Sequence, residues 1–408
     1  MAASSPVTDS GGPPRLRIRS AGDGDWPAMA LLDAVCFGTT GHLEALPAWR
    51  TLFRPDNAVV ACDGDDVVGM ATYLDLRMTV PGGAVLPVAG MTLVAVAPTH
   101  RRRGLLRAMF TELHTRVHDL GYPMAALTAS EGGIYGRFGY GPATIEHAVE
   151  IDRRSARFHP GAPDPGGVRV VRCAEHHDDF AAVYERWRMR TPGGLIRPRA
   201  LLDENLADRE GDRAGGSAFC ALLHPDGFVV FRIHRAQRQA RVEEFTAATD
   251  AAHAALWRAM LGLDLMQTVV TATHPDDALP YLLVDQRAVR TTARHDDLWL
   301  RIMDVPAALE ARTYRGELST VLDVHDGFLS GGGRFAVDIR DGRARCRPTA
   351  ESADITMDLD VLGSLYLGAH RASAMAAAGR VAAAHPEVLG RLDAAFATDV
   401  PAELGFGF

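Results

Sequence analysis

Apolar and polar positions alternate as soon as the patterned chain begins. Leu16-Arg-Ile-Arg-Ser20 reads as a strand with one buried face. Asp23-Gly-Asp-Trp-Pro-Ala-Met29 predicts a helix start, with acidic residues in the first turn and Pro27 near the first helical position. Residues 57–62, 66–73 and 75–80 then read as successive strands joined by short turns. From Thr92 to Met109 the period changes. An apolar strand (Leu93 to Ala97) runs through Pro98-Thr99 into Arg101-Arg102-Arg103-Gly104-Leu105-Leu106, and then into an amphipathic helix. Met124-Ala-Ala-Leu-Thr128 and residues 144–151 are further strands, which together give an α/β sandwich order.

His159-Pro-Gly-Ala-Pro-Asp-Pro-Gly-Gly167 has Pro or Gly at almost alternate positions and reads as a linker. Beyond it, residues 178–190 are helical by period and residues 218–235 hold strands. Residues 242–260 repeat the earlier strand, turn and helix in worn form, and both helices contain Arg-Ala-Met. The copy carries Asp250-Ala-Ala-His253 where the first has its arginines and Gly104. With charge and glycine both gone, this copy is expected to bind no cofactor. From about Arg301 the pattern is strands (320–324, 334–339, 344–347, 355–358) followed by helices (360–368 and 371–384), an α+β order. The expected organisation is a disordered segment at 1–14, a first domain at 15–158, a linker at 159–167, a second domain at 168–299 and a third at 300–408.

Composition narrows the function classes. A chain of 408 residues is too long for one ordinary core. Its 51 acidic against 43 basic residues leave a net charge of −8, which argues against nucleic acid as the main partner. All the basic residues are arginine, so an enzyme that modifies amines would find no lysine of its own here. Five scattered cysteines without a C-x-x-C spacing point to reduced thiols and no zinc site. The N-terminus lacks an apolar signal core and no window reaches transmembrane length, so a cytoplasmic protein without a membrane role is expected.

The turn from Arg101 to Leu106 carries the chemistry. Unpaired N–H groups at a helix start, the helix dipole and adjacent positive charge all favour a bound pyrophosphate. Arg101-Arg102-Arg103-Gly104-Leu105-Leu106 resembles the Q/R-x-x-G-x-G/A turn with which GCN5-related N-acetyltransferases (GNAT) hold acetyl-coenzyme A. Leu106 departs from that pattern. A second segment, Ala129-Ser-Glu-Gly-Gly-Ile-Tyr-Gly-Arg-Phe-Gly-Tyr-Gly-Pro-Ala-Thr144, sets Tyr135 in a Gly-rich turn six residues after the strand end. Gly363-Ser-Leu-Tyr-Leu-Gly368 with the Ala-rich stretch after it resembles sterol-carrier-protein-like domains. Together with Gly193-Gly-Leu, Leu298-Trp-Leu-Arg-Ile-Met303 and the ending Glu403-Leu-Gly-Phe-Gly-Phe408, these segments closely resemble the enhanced-intracellular-survival (Eis) acetyltransferases of mycobacteria and related actinobacteria. The resemblance runs from about residue 16 to Phe408.

That resemblance implies two GNAT folds, of which only the first is active, followed by a sterol-carrier-protein-like C-terminal domain, in a homohexamer. It implies acetyl-CoA as co-substrate, no metal, and an aminoglycoside-type polycation acetylated at several amines. The backbone of Val94, Ala95 and Val96, the turn Arg101, Arg102, Arg103, Gly104, Leu105 and Leu106, and Ser130 would contact the cofactor. Tyr135 would be the general acid and Tyr140 its rival. The Phe408 carboxylate would be the base, and a poor one unless burial raises its affinity for a proton, since a free α-carboxyl has a pKa of about 3.3–3.7. Phe37, Trp49, Trp187, Asp296 and Phe406 would line the acceptor pocket. Two acidic positions of the family are Thr39 and Gly407 here, which predicts a changed preference among amines; Asp33 and Glu44 are possible substitutes. His100 reads as a capping or packing residue beside the turn, and Asp276-Asp277 as a solvated loop. Protein lysines are a rival acceptor. A non-catalytic protein binding acetyl-CoA or lipid is the alternative from another class.

Overall fold

A computed structural model describes residues 16–38 and 51–408. The expected disorder at 1–14 lies outside the described residues, as do Thr39, Glu44 and Trp49. The described residues fall into two compact units. One comprises those up to Leu74 together with Met91–Gly121, the other Asp75–Gly90 and Tyr122–Phe408.

In the first unit β1 (Leu16–Ser20) pairs antiparallel with β2 (Ala58–Asp63), Leu16 opposite Asp63. β2 pairs in turn with the start of β3 (Asp66–Thr79). Helix α1 (Trp26–Phe37) buries Met29 and Leu32 against Val60, Cys62, Met70 and Ala95, the last on β4 (Val85–Val96). Helix α2 (Leu105–Asp119) buries Leu105, Met109, Phe110, Leu113 and Val117 at the i, i+4 spacing of an amphipathic helix. β3 is a single strand of 14 residues, not the two strands the sequence predicts. The polar Asp75 that marked a break points outward, and in the second unit it accepts a hydrogen bond from the Tyr122 hydroxyl at 2.9 Å.

The second unit holds β5 (Met124–Thr128), β6 (Gly141–Pro142), β7 (Glu146–Asp152), β8 (Arg169–Val171), β9 (Cys220–His224), β10 (Gly227–His234), β11 (Gln239–Ala247), β12 (Thr268–Thr273), β13 (Val289–His295) and β14 (Leu298–Ile302). Within it the first half of β4 lies parallel to β5, Val88 opposite Met124, and the order continues β5-β14-β6. The next sheet runs β13-β7-β12-β11-β10-β9-β8. Two strands therefore leave their sequence neighbourhood: β7 precedes the linker yet pairs with β12 and β13, and β14 follows β13 yet pairs with β5 and β6. The worn copy forms its predicted strand, turn and helix, β11 followed by a helix at Asp250–Leu261, and β11 runs parallel to β12. That helix packs Leu256, Trp257 and Met260 into a core with Val149, Ile151, Val229 and Val269.

A last sheet, β17-β16-β15-β18-β19, is built from β15 (Leu318–His325), β16 (Gly333–Arg340), β17 (Arg343–Pro348), β18 (Ile355–Asp358) and β19 (Val381–Ala383). The predicted helix at 371–384 is instead a short helix at Ala372–Ala377 followed by β19. Val381, Ala382 and Ala383 pair with β18, and this edge pairing overrides the helical preference of the alanines. Helices at Val305–Ala311 and Pro386–Phe396 were not predicted. Both start with Pro in the first turn, and Asp304 caps the former by accepting from the Ala307 N–H at 2.9 Å. Among the described residues no helix is long and apolar enough to cross a membrane, and no three His, Cys, Asp or Glu side chains are grouped to hold a metal.

Candidate active site

In the first unit, β4 carries a feature no sequence pattern announces. Leu93 has φ +49°, a left-handed backbone in mid-strand. A leucine there is strained by about 1–3 kcal/mol, and such strain gathers at functional sites. It re-aims the N–H and C=O groups of Val94 and Val96, while the Ala95 side chain is buried in the core. The turn after β4 is built for an anion. Arg102 (φ +63°) and Gly104 (φ +80°) are both left-handed, a geometry that turns successive N–H groups to one side. Gly104 occupies the N-cap of α2, so no side chain covers the first N–H groups of the helix. Arg101, Arg102 and Arg103 are exposed, Leu105 faces the core and Leu106 is half-buried. These residues fit the diphosphate of coenzyme A. His100 matches its reading as a packing residue: its ring nitrogens meet Thr99 Oγ1 at 2.8 Å and Asp63 at 3.1 Å. Phe37, at the end of α1, is 45% exposed and so is available to a ligand.

In the second unit, Tyr135 ends a one-turn helix (Gly132–Tyr135) that follows β5. It is 6% exposed, and burial, with the Glu131 charge second, pushes its hydroxyl above the ordinary tyrosine value. Tyr135 therefore stays protonated well into alkaline solution. Tyr140 meets it edge-on at 6.4 Å and is fully buried, which makes it a packing residue. The turn between them is braced from β14. Arg301 Nη1 donates to the Phe138 carbonyl at 2.7 Å, and its other nitrogen pairs at 2.6 Å with Asp326, which is equally buried. Ser130 is exposed just before this turn. Asp296 accepts a hydrogen bond from the Trp299 indole, whose ring packs beside Gly132. Asp296 is thereby tied to the segment that carries Tyr135.

The chain end is docked in the same unit. A Cβ placed on Gly90, the last residue of β4 paired with β5, would lie 2.8 Å from the Phe408 ring and 2.6 Å from Leu76. Phe406 is buried and faces Tyr184 at 6.2 Å; Trp187 faces Tyr184 at 5.3 Å. Trp187 and Phe406 thus flank one ring, Tyr184, while Phe408 packs at Gly90. Trp49 lies outside the described residues.

Sequence reasoning missed a group of half-buried carboxylates, because nothing local shows that they lie together. Burial, reinforced by Glu146 and Asp296, pushes Asp297 up to about 7. Burial raises Glu146 as well. Burial, with Asp277 and Glu146 as further causes, pushes Glu403 up to about 8 from 4.5. A carboxyl raised on folding gives stability that is complete below its unfolded value and is lost as pH climbs from 4.5 past about 8. Glu403→Gln is therefore expected to leave the melting temperature nearly unchanged at pH 4 and to raise stability at pH 9. The gain should be ~2 kcal/mol, below the ceiling set by ~1.4 kcal/mol per tenfold change in proton affinity, because the side chain is only partly shielded. Calorimetry at both pH values checks this; equal shifts would show that Glu403 ionises normally.

Asp277 corrects the expectation of a solvated loop. It is held by His253 Nε2 at 3.1 Å and accepts from the Leu279 N–H at 2.7 Å, and burial leaves its side chain only 13% exposed. The worn turn also shows why it suits a phosphate poorly. Thr249 accepts from the Ala252 N–H at 3.2 Å, taking one donor, and Asp250 puts negative charge at the helix start.

Residues 17–143 match an acetyltransferase (GNAT) domain family, residues 193–302 a second acetyltransferase (GNAT) domain family, and residues 305–403 a sterol carrier protein domain family. N-acetyltransferase Eis of Mycobacterium tuberculosis is 58% identical over 405 residues, covering 96% of this chain and 100% of the relative. An uncharacterized N-acetyltransferase of Streptomyces coelicolor is 36% identical, over 91% of this chain and 94% of its own. The crystal structure of Eis1 from Mycobacterium abscessus aligns with a TM-score of 0.86 at 31% identity, over 96% of this chain and 100% of that one.

Proposed function

Because the chain belongs to the Eis N-acetyltransferases, enzymes with GNAT acetyltransferase domains, we propose that it transfers acetyl groups from acetyl-CoA to several amines of aminoglycoside-type polycations, with Tyr135 as general acid and the Phe408 carboxylate as base. An amine near the lysine reference value of about 10.4 is mostly protonated at pH 7 and carries no free lone pair. The Phe408 carboxylate takes its proton, directly or through a water. The amine nitrogen then attacks the thioester carbonyl, the C–S bond breaks, and Tyr135 gives its proton to the departing thiolate. The turn Arg101 to Leu106 holds the diphosphate. The re-aimed backbone beyond Leu93 supplies N–H groups for the carbonyl oxygen and the pantetheine arm.

The observation that carries this reading is the packing of the Phe408 ring against Gly90, at the last paired residue of β4. Both aromatic rings of this tail are packed, Phe408 on Gly90 and Phe406 beside Tyr184, which holds the segment in place as a base must be held. The acceptor class follows from charge. Asp296, Asp297, Glu146 and Glu403 form an acidic group whose mutual repulsion a bound polycation relieves. These carboxylates stand in for the acidic positions that are Thr39 and Gly407 in this chain, so we place the acetylated amines differently from those of family members with acidic residues there. Trp187, half-buried beside the tail, offers an apolar face to a sugar ring. The homohexamer and the domain limits at 158, 167 and 299 belong to the same reading.

The test is thiol release from acetyl-CoA by the full chain with a free C-terminus, against aminoglycosides, simple polyamines and a lysine peptide, with the products weighed. Multiple acetyl additions to an aminoglycoside are expected. Transfer to the peptide alone would establish the protein-lysine reading, and acetyl-CoA binding without any transfer would establish a binding protein.

A further inference from the structure

We propose that the second, worn acetyltransferase fold serves as the socket for the chain's own C-terminus, and that Arg197 is the residue that positions Phe408. This rests on the Phe408 carboxylate acting as base.

In this fold β11 and β12 pair only over Gln239–Arg241 with Thr268–Val270. Beyond that point β11 continues through Glu244 to Ala247. Ala247, Thr249, His274 and the tail residues Thr398 to Glu403 then wall one cavity of about 980 Å³. The tail thus shares this cavity with the ends of the strands that, in an active copy, would part around a cofactor. Its backbone is fixed step by step. The Glu403 N–H donates to the Pro192 carbonyl at 3.0 Å. A Cβ on Gly405 would lie 2.5 Å from Trp187 and from the Tyr184 hydroxyl, so only glycine passes there.

Arg197 closes the hold. Its side chain is 4% exposed and pairs with Glu244 on β11 at 2.8 and 3.2 Å. The same guanidinium donates to the Gly405 carbonyl at 2.8 Å and lies over the rings of Tyr184 (4.1 Å) and Phe406 (5.3 Å). One planar group therefore joins a strand of the worn fold to the backbone and to a ring of the tail, a geometry a lysine ammonium cannot reproduce. From Gly405 to the chain end is a span of roughly 10 Å when extended. Without the anchor only the Phe408 ring against Gly90 holds the carboxylate, and a misplacement of about 1 Å is already worth on the order of 10²-fold in rate.

The experiment compares five full-length or near full-length proteins with free C-termini: the natural chain, R197Q, R197K, a chain ending at Glu403, and that shortened chain carrying R197Q. R197Q is expected to lose about 10²-fold in kcat with the KM for acetyl-CoA unchanged, and R197K to recover only part of the loss. The peptide Leu-Gly-Phe-Gly-Phe, added in excess, should restore turnover to the shortened chain and fail to do so when R197Q is also present; the same peptide as an amide should do nothing. If R197Q lowers expression, R197K and the peptide measurements decide. Natural kcat in a folded R197Q, with the shortened chain inactive, would overturn the role of Arg197 and leave the carboxylate reading standing. Full activity of the shortened chain would overturn both.

Discussion

Tyr135→Phe lowers kcat by about 10²–10⁴-fold, the range of a positioned general acid, and leaves acetyl-CoA affinity within about twofold. The substitution removes one oxygen and keeps the ring, so the edge-on contact with Tyr140 and the fold of the Gly-rich turn survive. Burial and the Glu131 charge hold the hydroxyl proton more firmly than in free tyrosine. The natural enzyme should therefore keep turning over until the pH exceeds the ordinary tyrosine value, the sign required of a group that acts in its protonated form. The variant should show no such alkaline limb. Single-turnover kinetics, with cofactor affinity from calorimetry, separates the chemical step from binding. Unchanged single-turnover rates in Tyr135→Phe would remove Tyr135 from the reaction, and Tyr140, fully buried, would not be its replacement.

Blocking the last carboxylate is expected to be as damaging. An amide at Phe408, made by ligating a synthetic tail, changes one oxygen to nitrogen and removes the charge, while the ring still meets Gly90. A drop of about 10²-fold or more in kcat is expected, with the melting temperature unchanged. Phe408→Ala asks the converse question. It keeps the carboxylate and removes the ring that seats it, so a loss in kcat partly recovered by a bulkier residue would show that packing places the charge. An active amide would assign the proton to a different group, and the raised carboxyls of Asp297 and Glu403 would be the next candidates.

The sequence made the chemistry more visible than the topology. Arg101 to Leu106 and the Tyr135 turn are local: a few consecutive residues determine the backbone, so their pattern and their structure coincide. The strand, turn and helix around Asp250 were legible for the same reason. Leu93 was not, since nothing in an apolar run marks the residue that turns left-handed. Arg197 reaches Glu244 47 positions away and Gly405 208 away, and Glu146, Asp297 and Glu403 meet across still other long separations; periodicity carries no information about such distances. The helix expected at 371–384 failed where the edge of β18 was available to Val381–Ala383. The break expected near Asp75 failed because one outward polar residue does not interrupt a ladder of backbone hydrogen bonds.

The exchange of strands between sheets has a consequence for synthesis. Thr128 at the end of β5 finds its partner in Leu298, and Pro142 finds Trp299. At about 5–20 residues per second, a ribosome needs on the order of 10–30 s to make the chain between these partners. Throughout that interval β5 offers an unpaired hydrogen-bonding edge to any other nascent strand.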